Sequence, residues 1–389
     1  MARAWVEDRR KHAAYLEAVE RAKATGRKPP ARWRVRWYDP DGKARAKAVA
    51  RKPDADALAA KIESELSSGA YRDPSAGRVL VRDVAEAWLA AQSTQKRSTL
   101  ELYRTMIDAH ILPRWGGVQV DRVRRDDIAV WLGALDGGAD KKRLAYSIMA
   151  RIMEWCVPER IAVNPVRSVK PPKAAPSRKV FLTAEEVEAL ADATTGRASR
   201  VLVLVLAYVG LRIGEAAALK ARNVDLKRRR VRIEATLIEG KGGLYEDTPK
   251  SGESRTVALP ASVAAELKPL IEECREPDSY VFTTDSGSPL RLDTWRRHHF
   301  APAVAAAGLK GKDITPHALR HTAASLAIAE GADVKVVQTM LGHAKATITL
   351  DTYGHLFPDR LDEVAGRLDK ARAAARLQRA KSKALRSDA

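Results

Sequence analysis

Apolar and charged residues alternate along RWRVRWYDPDGKARAKAV, 32–49, with Trp33, Val35 and Trp37 on one face and Arg32, Arg34 and Arg36 on the other. That period of two predicts a half-buried strand, and Asp41-Gly42 supplies the turn of a hairpin. ARAWVED, ahead of it, predicts a first strand, and DADALAAKIESEL, after it, a helix. Residues 9–28 read as a basic helix inserted between that first strand and the hairpin. Residues 1–66 are thus expected to form a small three-stranded sheet with a helix. The arginine face suits insertion into a DNA groove. It suits a solvated antiparallel face equally well, because alternating charge is ordinary there.

From residue 79 the period changes to that of a helix. VRDVAEAWLAAQ, STLELYRTMIDAHILPRW, RRDDIAVWLGAL and KKRLAYSIMARIMEWCV each place apolar residues at i, i+3 and i+4, which predicts four helices and an all-α domain over 79–165. A third domain, 180–365, opens with the capping-box pair Thr183 and Glu186. It is mainly helical. The apolar run VLVLVLAYVGL, 201–211, is too short to span a bilayer and reads as a buried helix. The stretch 228–259 breaks the helical pattern and predicts strands around a Gly- and Lys-rich hairpin, a small antiparallel sheet. Further helices are expected near 293–306 and 316–330. Two Pro-, Gly- or Ser-rich stretches, SSGAYRDPSAGR (67–78) and VRSVKPPKAAPSRK (166–179), are expected linkers. A basic tail covers 366–389. The fold class is multidomain α+β.

A chain of 389 residues with 45% hydrophobic and 30% charged residues fits two or three folded domains and excludes wholesale disorder. The charge balance narrows the partners. Lys and Arg number 69 against 49 Asp and Glu, net +20, and a surplus of that size favours a polyanion, nucleic acid first, over a generally basic protein. Arg97 between the helices, and Lys170 and Lys173 in the second linker, join Arg32, Arg34 and Arg36 as candidate DNA contacts. Cys156 and Cys274 have no metal-ligand spacing, and Cys156 reads as a core thiol in a reducing compartment. The start, MARAWVEDRRKH, carries charge where a signal peptide needs an apolar core. A cytoplasmic protein with no membrane partner is expected.

Several polar residues of the third domain lie against apolar helix runs. Arg212 follows AYVGL, and a guanidinium there needs a carboxylate or phosphate to answer it; a purely structural pair with Glu215 is the plain alternative. His317 and Arg320 share one face of a helix that starts near Pro316. Lys250 lies in the hairpin, His343 follows Leu341-Gly342, and Tyr353 comes last. Taken alone, Tyr353 is a packing aromatic. Taken together, the set has a chemistry. A phenol attacks only with a base and a cationic setting. Paired arginines hold the non-bridging oxygens of a phosphorane without a metal. A lysine protonates a leaving oxygen. A metal reading of His317, His321, His343 and His355 lacks the Glu of HExxH and any nearby Cys. No metal or cofactor is therefore expected, with His321 a helix-packing residue and His355 a neighbour of Tyr353.

Across nearly its whole length the chain resembles the tyrosine recombinases, and among them the phage-type integrases of actinobacterial hosts. GLRIGEAAAL, TPKSGESRTVAL, TPHALRHTAAS and LGHAKATITLDTYGHLF carry the resemblance. It implies an arm-binding amino-terminal domain, a SAM-like core-binding domain and a catalytic domain. It implies a catalytic set of Arg212, Lys250, His317, Arg320, His343 and Tyr353, with Glu215 supporting Arg212. In that set Tyr353 forms a 3′-phosphotyrosine link, Arg212 and Arg320 hold the phosphate, and Lys250 is the general acid. His317 shuttles the tyrosine's proton, and His343 donates to the phosphate. The implied partners are double-stranded DNA with core-type and arm-type sites, a homotetramer on that DNA, an excision factor and a DNA-bending protein. LDEVAGRLDKA, 361–371, is the segment expected to pack on a neighbouring copy. The helix at 9–28 is longer than the family's short basic turn. The competing readings are a non-catalytic DNA-binding regulator, a type IB topoisomerase, and a chromosome-dimer recombinase. The amino-terminal sheet argues against the last two.

Overall fold

The computed structural model describes residues 4–73, 75–173, 179–249, 252–284, 286–358 and 361–387. The chain divides into two compact units, Met1–Pro176 and Ser177–Ala389.

The first unit opens with β1 (Ala4–Asp8), α1 (Ala13–Ala24), β2 (Trp33–Tyr38), β3 (Ala44–Val49) and α2 (Lys52–Ser67). The three strands are antiparallel in the order β1-β2-β3, with Val6 opposite Val35 and Val35 opposite Lys47. That register turns Val35 and Trp37 onto Ala55, Ile62 and Leu66 of α2, which together form a core of their own. Gly42 takes the positive φ that the hairpin turn requires. Part of the Gly- and Ser-rich stretch after α2 also packs on this sheet. Tyr71 Oη accepts a hydrogen bond from Trp37 Nε1 at 2.7 Å, and Asp73 pairs with Arg45 at 2.5 Å. One aromatic in a polar run has no period, so nothing in the sequence marks Tyr71 as an anchor.

The same unit continues with α3 (Val81–Ala90), α4 (Arg97–Met106), α5 (Leu112–Trp115), α6 (Arg125–Ala134) and α7 (Ala139–Glu154). A π-helical turn, Ile107–Ile111, joins α4 to α5. Trp115 and Trp131 meet edge to face at 6.0 Å inside a second core that also holds Trp88, Met149 and Cys156. The Cys156 thiol is buried and free, as its apolar helical setting predicts.

The second unit begins with α8 (Ala184–Asp192), capped reciprocally by Thr183 and Glu186. α9 (Arg197–Leu204) runs on through a π-helical stretch, Val205–Val209, and is buried nearly all round. After it come α10 (Ile213–Ala217), β4 (Val224–Asp225), β5 (Arg230–Ile233), β6 (Thr236–Gly240), β7 (Gly243–Asp247) and β8 (Arg255–Ala258). The predicted single sheet is two: β4-β5-β8, and the β6-β7 hairpin. β6 lies against α10 instead of continuing the larger sheet. At Gly214 a Cβ would come within 2.6 Å of Thr236 Oγ1 and 2.8 Å of the Leu237 carbonyl, so only glycine lets the two elements pack this closely.

The remaining helices are α11 (Ala261–Glu272), α12 (Leu292–Trp295), α13 (Ala301–Ala306), α14 (Pro316–Ala329), α15 (Val334–Leu341), α16 (Ala346–Tyr353) and α17 (Leu361–Ser387). α17 is one helix through residues 365 and 366, and its residues 362–379 are exposed. Among the described residues, no helix is long and apolar enough to cross a membrane.

Candidate active site

Arg212 owes its position to the end of the buried helix. Gly210 adopts a left-handed conformation after the π-helical stretch, which turns the chain and leaves Arg212 at the N-cap of α10. Glu215, one turn on, reaches back. Its Oε2 accepts from the Arg212 backbone N–H at 2.9 Å and its Oε1 from Arg212 Nη1 at 2.7 Å. The same carboxylate accepts two further bonds from Arg255, at 2.9 and 2.6 Å. The Glu215 side chain is 1% exposed, that of Arg255 10% and that of Arg212 26%. One buried carboxylate therefore answers two guanidiniums and leaves only Arg212 open to solvent. Burial alone would raise the Glu215 carboxyl; the bonds from Arg255 and then the charge of Arg212 overcome it and hold the group down at about 2.

Arg255 belongs to no candidate set drawn from the sequence. A signal exists, though. It sits two residues before Val257, and both lie on one face of β8, opposite Ile233 and Val231. Val257 is core, so the period of two turns Arg255 inward, where a charge needs a partner.

Arg320 is 2% exposed and points from α14 into the unit. Its Nη1 donates to the Gly210 carbonyl at 2.6 Å, and its Nη2 donates to the Leu341 carbonyl. It thereby ties the turn that carries Arg212 to the turn that carries His343. Burial, then the neighbouring Arg212 charge, lower it to about 9, which leaves it protonated at neutral pH. Gly342, between Leu341 and His343, has φ +64°, and a Cβ there would lie 2.7 Å from Arg255 Cδ. Arg255 is pinned by Glu215 and has nowhere to move. Gly342→Ala is expected to cost about 1–2 kcal/mol for the left-handed backbone alone, with cleavage slowed through His343. A lowered urea midpoint together with a single-turnover cleavage assay checks it.

His343 Nδ1 is 2.9 Å from Thr349 Oγ1, and its ring stacks nearly parallel on Tyr353 with centroids 6.5 Å apart. Burial, then Arg320 and Arg212, hold its imidazole down at about 4. Tyr353, the last residue of α16, is 1% exposed. Its Oη lies 2.7 Å from His321 Nδ1. Burial pushes the phenol up to about 12 against the opposing pull of Arg320. Phe181 packs on Tyr353, His321 and His355, and Lys179 Nζ lies 6.0 Å from the Tyr353 ring centre. His321, expected to be a helix-packing residue, is therefore the phenol's hydrogen-bond partner. The i, i+4 spacing puts it on the face of α14 shared with His317, the two rings meeting edge to face at 4.7 Å. Lys250 lies outside the described residues. Among the described residues, no group of three or more His, Cys, Asp or Glu could hold a metal ion.

Residues 180–360 match the phage integrase family. Over that segment the chain is of the phage integrase type, the tyrosine recombinases. The activity class is DNA breakage and rejoining by site-specific recombination, for a phage or mobile element. The recombinase is 26% identical over 352 residues to the prophage phiRv2 integrase of Mycobacterium tuberculosis, covering 87% of this chain and 92% of that one. It is 32% identical over 184 residues to the tyrosine recombinase XerA of Thermococcus kodakarensis, covering 46% of this chain and 60% of that relative. Its fold is similar to that of the Tn1549 transposon integrase bound to transposon right end DNA, with a TM-score of 0.61 and 21% identity over 75% of this chain and 99% of that one. It is also similar to lambda integrase as a tetramer bound to a Holliday junction, with a TM-score of 0.57 and 21% identity over 80% of this chain and 94% of that one.

The recombinase's candidate DNA contacts are less uniformly cationic than the sequence suggests. Arg32 pairs with Asp8 at 2.7 Å and stacks on Trp33. Glu7 lies 3.8 Å from Arg34 and 3.9 Å from Arg36. The register of β1 on β2, invisible in the sequence, sets these acids beside the arginines. Arg36 also stacks 5.9 Å from the centre of the exposed Trp5 ring. Arg97 pairs with Glu101 one turn along α4 at 2.9 Å. Lys170 and Lys173 are exposed.

Proposed function

We propose that this recombinase integrates and excises a phage or mobile element through a 3′-phosphotyrosine intermediate on Tyr353. Tyr353 attacks the scissile phosphate and frees a 5′-hydroxyl, and a 5′-hydroxyl of the partner duplex then attacks the link. The bond energy is conserved, so no cofactor is consumed. Arg212 and Arg320 hold the non-bridging oxygens, Glu215 orients Arg212, and His343 donates to the phosphate. Lys250 protonates the leaving oxygen. The phenol's proton passes to a histidine of α14. One observation carries this reading. Arg320 ties the Arg212 turn to the His343 turn, while the Tyr353 phenol is seated on α14 beside it. A regulator that only binds DNA has no use for a phenol held inside such a cluster.

The partners follow from this reading: double-stranded DNA at core-type and arm-type sites, a homotetramer on that DNA, and an excision factor and a DNA-bending protein, inside a bacterial cell on its nucleoid. The helical domain, 79–165, takes core-type sites and the amino-terminal sheet, 1–66, arm-type sites. Exposed Val364 and Leu368 of α17 give the segment 361–371 an apolar side for a neighbouring copy.

Deleting residues 1–75 tests the division of labour. The cut falls after Asp73 because Tyr71 and Asp73 pack on the sheet. Core-site cleavage is expected to stay within a few-fold, while integrative recombination falls by about 100-fold or more as the second DNA-binding module is lost. Unimpaired integration by the truncated chain would remove the arm-binding role.

A further inference from the structure

We propose that His321, and not His317, receives the phenolic proton as Tyr353 attacks the phosphate. The inference rests on Tyr353 being the nucleophile and adds the identity of its base. His321 Nδ1 is 2.7 Å from Tyr353 Oη, within hydrogen-bond reach for direct transfer without an intervening water. Two independent elements fix that distance. His321 is carried by the middle of α14, whose next residue, Thr322, is buried and accepts a bond from the Leu182 N–H at 3.1 Å. Tyr353 is held from the other side by Phe181 and the stacked His343 ring. Neither ring can drift from the other without opening this small core.

The protonation state fits the role. Burial, then the neighbouring His317 and the charges of Lys179 and Arg320, holds the His321 imidazole down at about 4, so it rests neutral. With its proton on Nε2, Nδ1 is an acceptor. The step then balances. The Tyr353 oxygen forms the O–P bond, and its proton goes to Nδ1. The P–O5′ bond breaks, and the 5′-oxygen leaves with the electron pair and takes a proton from Lys250. Religation runs the same transfers backward. Without DNA the transfer is strongly uphill, because the phenol rests at about 12 and the imidazole at about 4. A phosphodiester placed between Arg212 and Arg320 adds the negative charge that an imidazolium lacks, and bond formation to phosphorus removes the cost of a free phenolate. Proton transfer is therefore concerted with attack, and the resting nucleophile stays inert.

The test compares His321→Ala and His321→Asn in single-turnover adduct formation on a nicked core-site duplex, using an ordinary 5′-oxygen and a 5′-bridging sulfur at the scissile position. Asn places an oxygen near the Nδ1 position, so it can hold the phenol but cannot take its proton. Both variants are expected to bind the duplex like the parent and to form adduct about 100-fold more slowly. The sulfur substrate, whose leaving group needs no acid, is expected to rescue Lys250→Ala but neither His321 variant. Near-parental rates for His321→Asn would reduce His321 to a positioning hydrogen bond, and rescue by sulfur would move it to the leaving-group side; either result overturns the proposal. If His321→Ala unfolds, the Asn variant still decides. An adduct formed by Tyr353→Phe would instead remove the nucleophile assignment itself.

Discussion

Tyr353→Phe is expected to bind a nicked core-site duplex with the affinity of the parent and to form no covalent adduct with it. The substitution removes one oxygen. The ring keeps its place, because its packing on Phe181 and its stacking on His343 are made by carbon atoms. What is lost is the hydrogen bond to His321, worth about 1 kcal/mol to the fold, too little to unfold a unit with a core of this size. The loss of chemistry is complete, since no other group replaces the oxygen that must bond to phosphorus. Gel-shift titration reads binding, and a denaturing gel reads the adduct. Parental binding with no adduct separates the nucleophile from a packing residue. An adduct with the Phe variant would show that another side chain attacks.

Glu215→Ala is expected to be the most destabilising single change around the site, at about 3–5 kcal/mol. It strands two guanidiniums at once. Arg255, 10% exposed, would be left facing the turn at Gly342 with no carboxylate to answer it. Arg212→Ala is expected to differ in kind. Glu215 would keep both bonds from Arg255, so the urea midpoint should fall far less while cleavage is lost. Equal destabilisation by the two variants would contradict this division. The pair also titrates. Folding lowers the Glu215 carboxyl from its ordinary 4.5 to about 2. Its contribution, on the order of 3 kcal/mol, is fully present above about pH 4.5 and is lost as the pH falls through about 2. Acid melts of the parent should show this loss, and those of Glu215→Gln should not.

Much of the site was legible because its members sit at helix ends and at helical spacings that sequence displays. Arg212 after a buried run, His317 and Arg320 three apart, and Tyr353 at the end of its segment each show as polar residues placed against apolar ones. Contacts between distant segments were not legible. The sequence shows Glu215 one turn from Arg212, but its larger load, Arg255, comes from a strand 40 residues on. His321 shows in the sequence only as a helix-packing residue, because a helix position reveals its face and not what the face meets. Glu7 and Asp8 stand among Arg32, Arg34 and Arg36 only through the pairing of β1 with β2, which the sequence does not display. The amino-terminal sheet was plain from its alternation. The split of the catalytic sheet into two was not, because it depends on how closely Gly214 lets β6 approach α10.

The central claim is that Tyr353 carries the DNA. It is tested most directly by trapping the parent on a nicked core-site duplex, digesting the complex, and sequencing the nucleotide-bearing peptide by mass spectrometry. With trypsin, which cuts after Lys345 and Arg360, the expected peptide spans residues 346–360, with the nucleotide joined through its 3′-phosphate to the Tyr353 oxygen. A nucleotide on any other residue, or a link through a 5′-phosphate, would contradict the account.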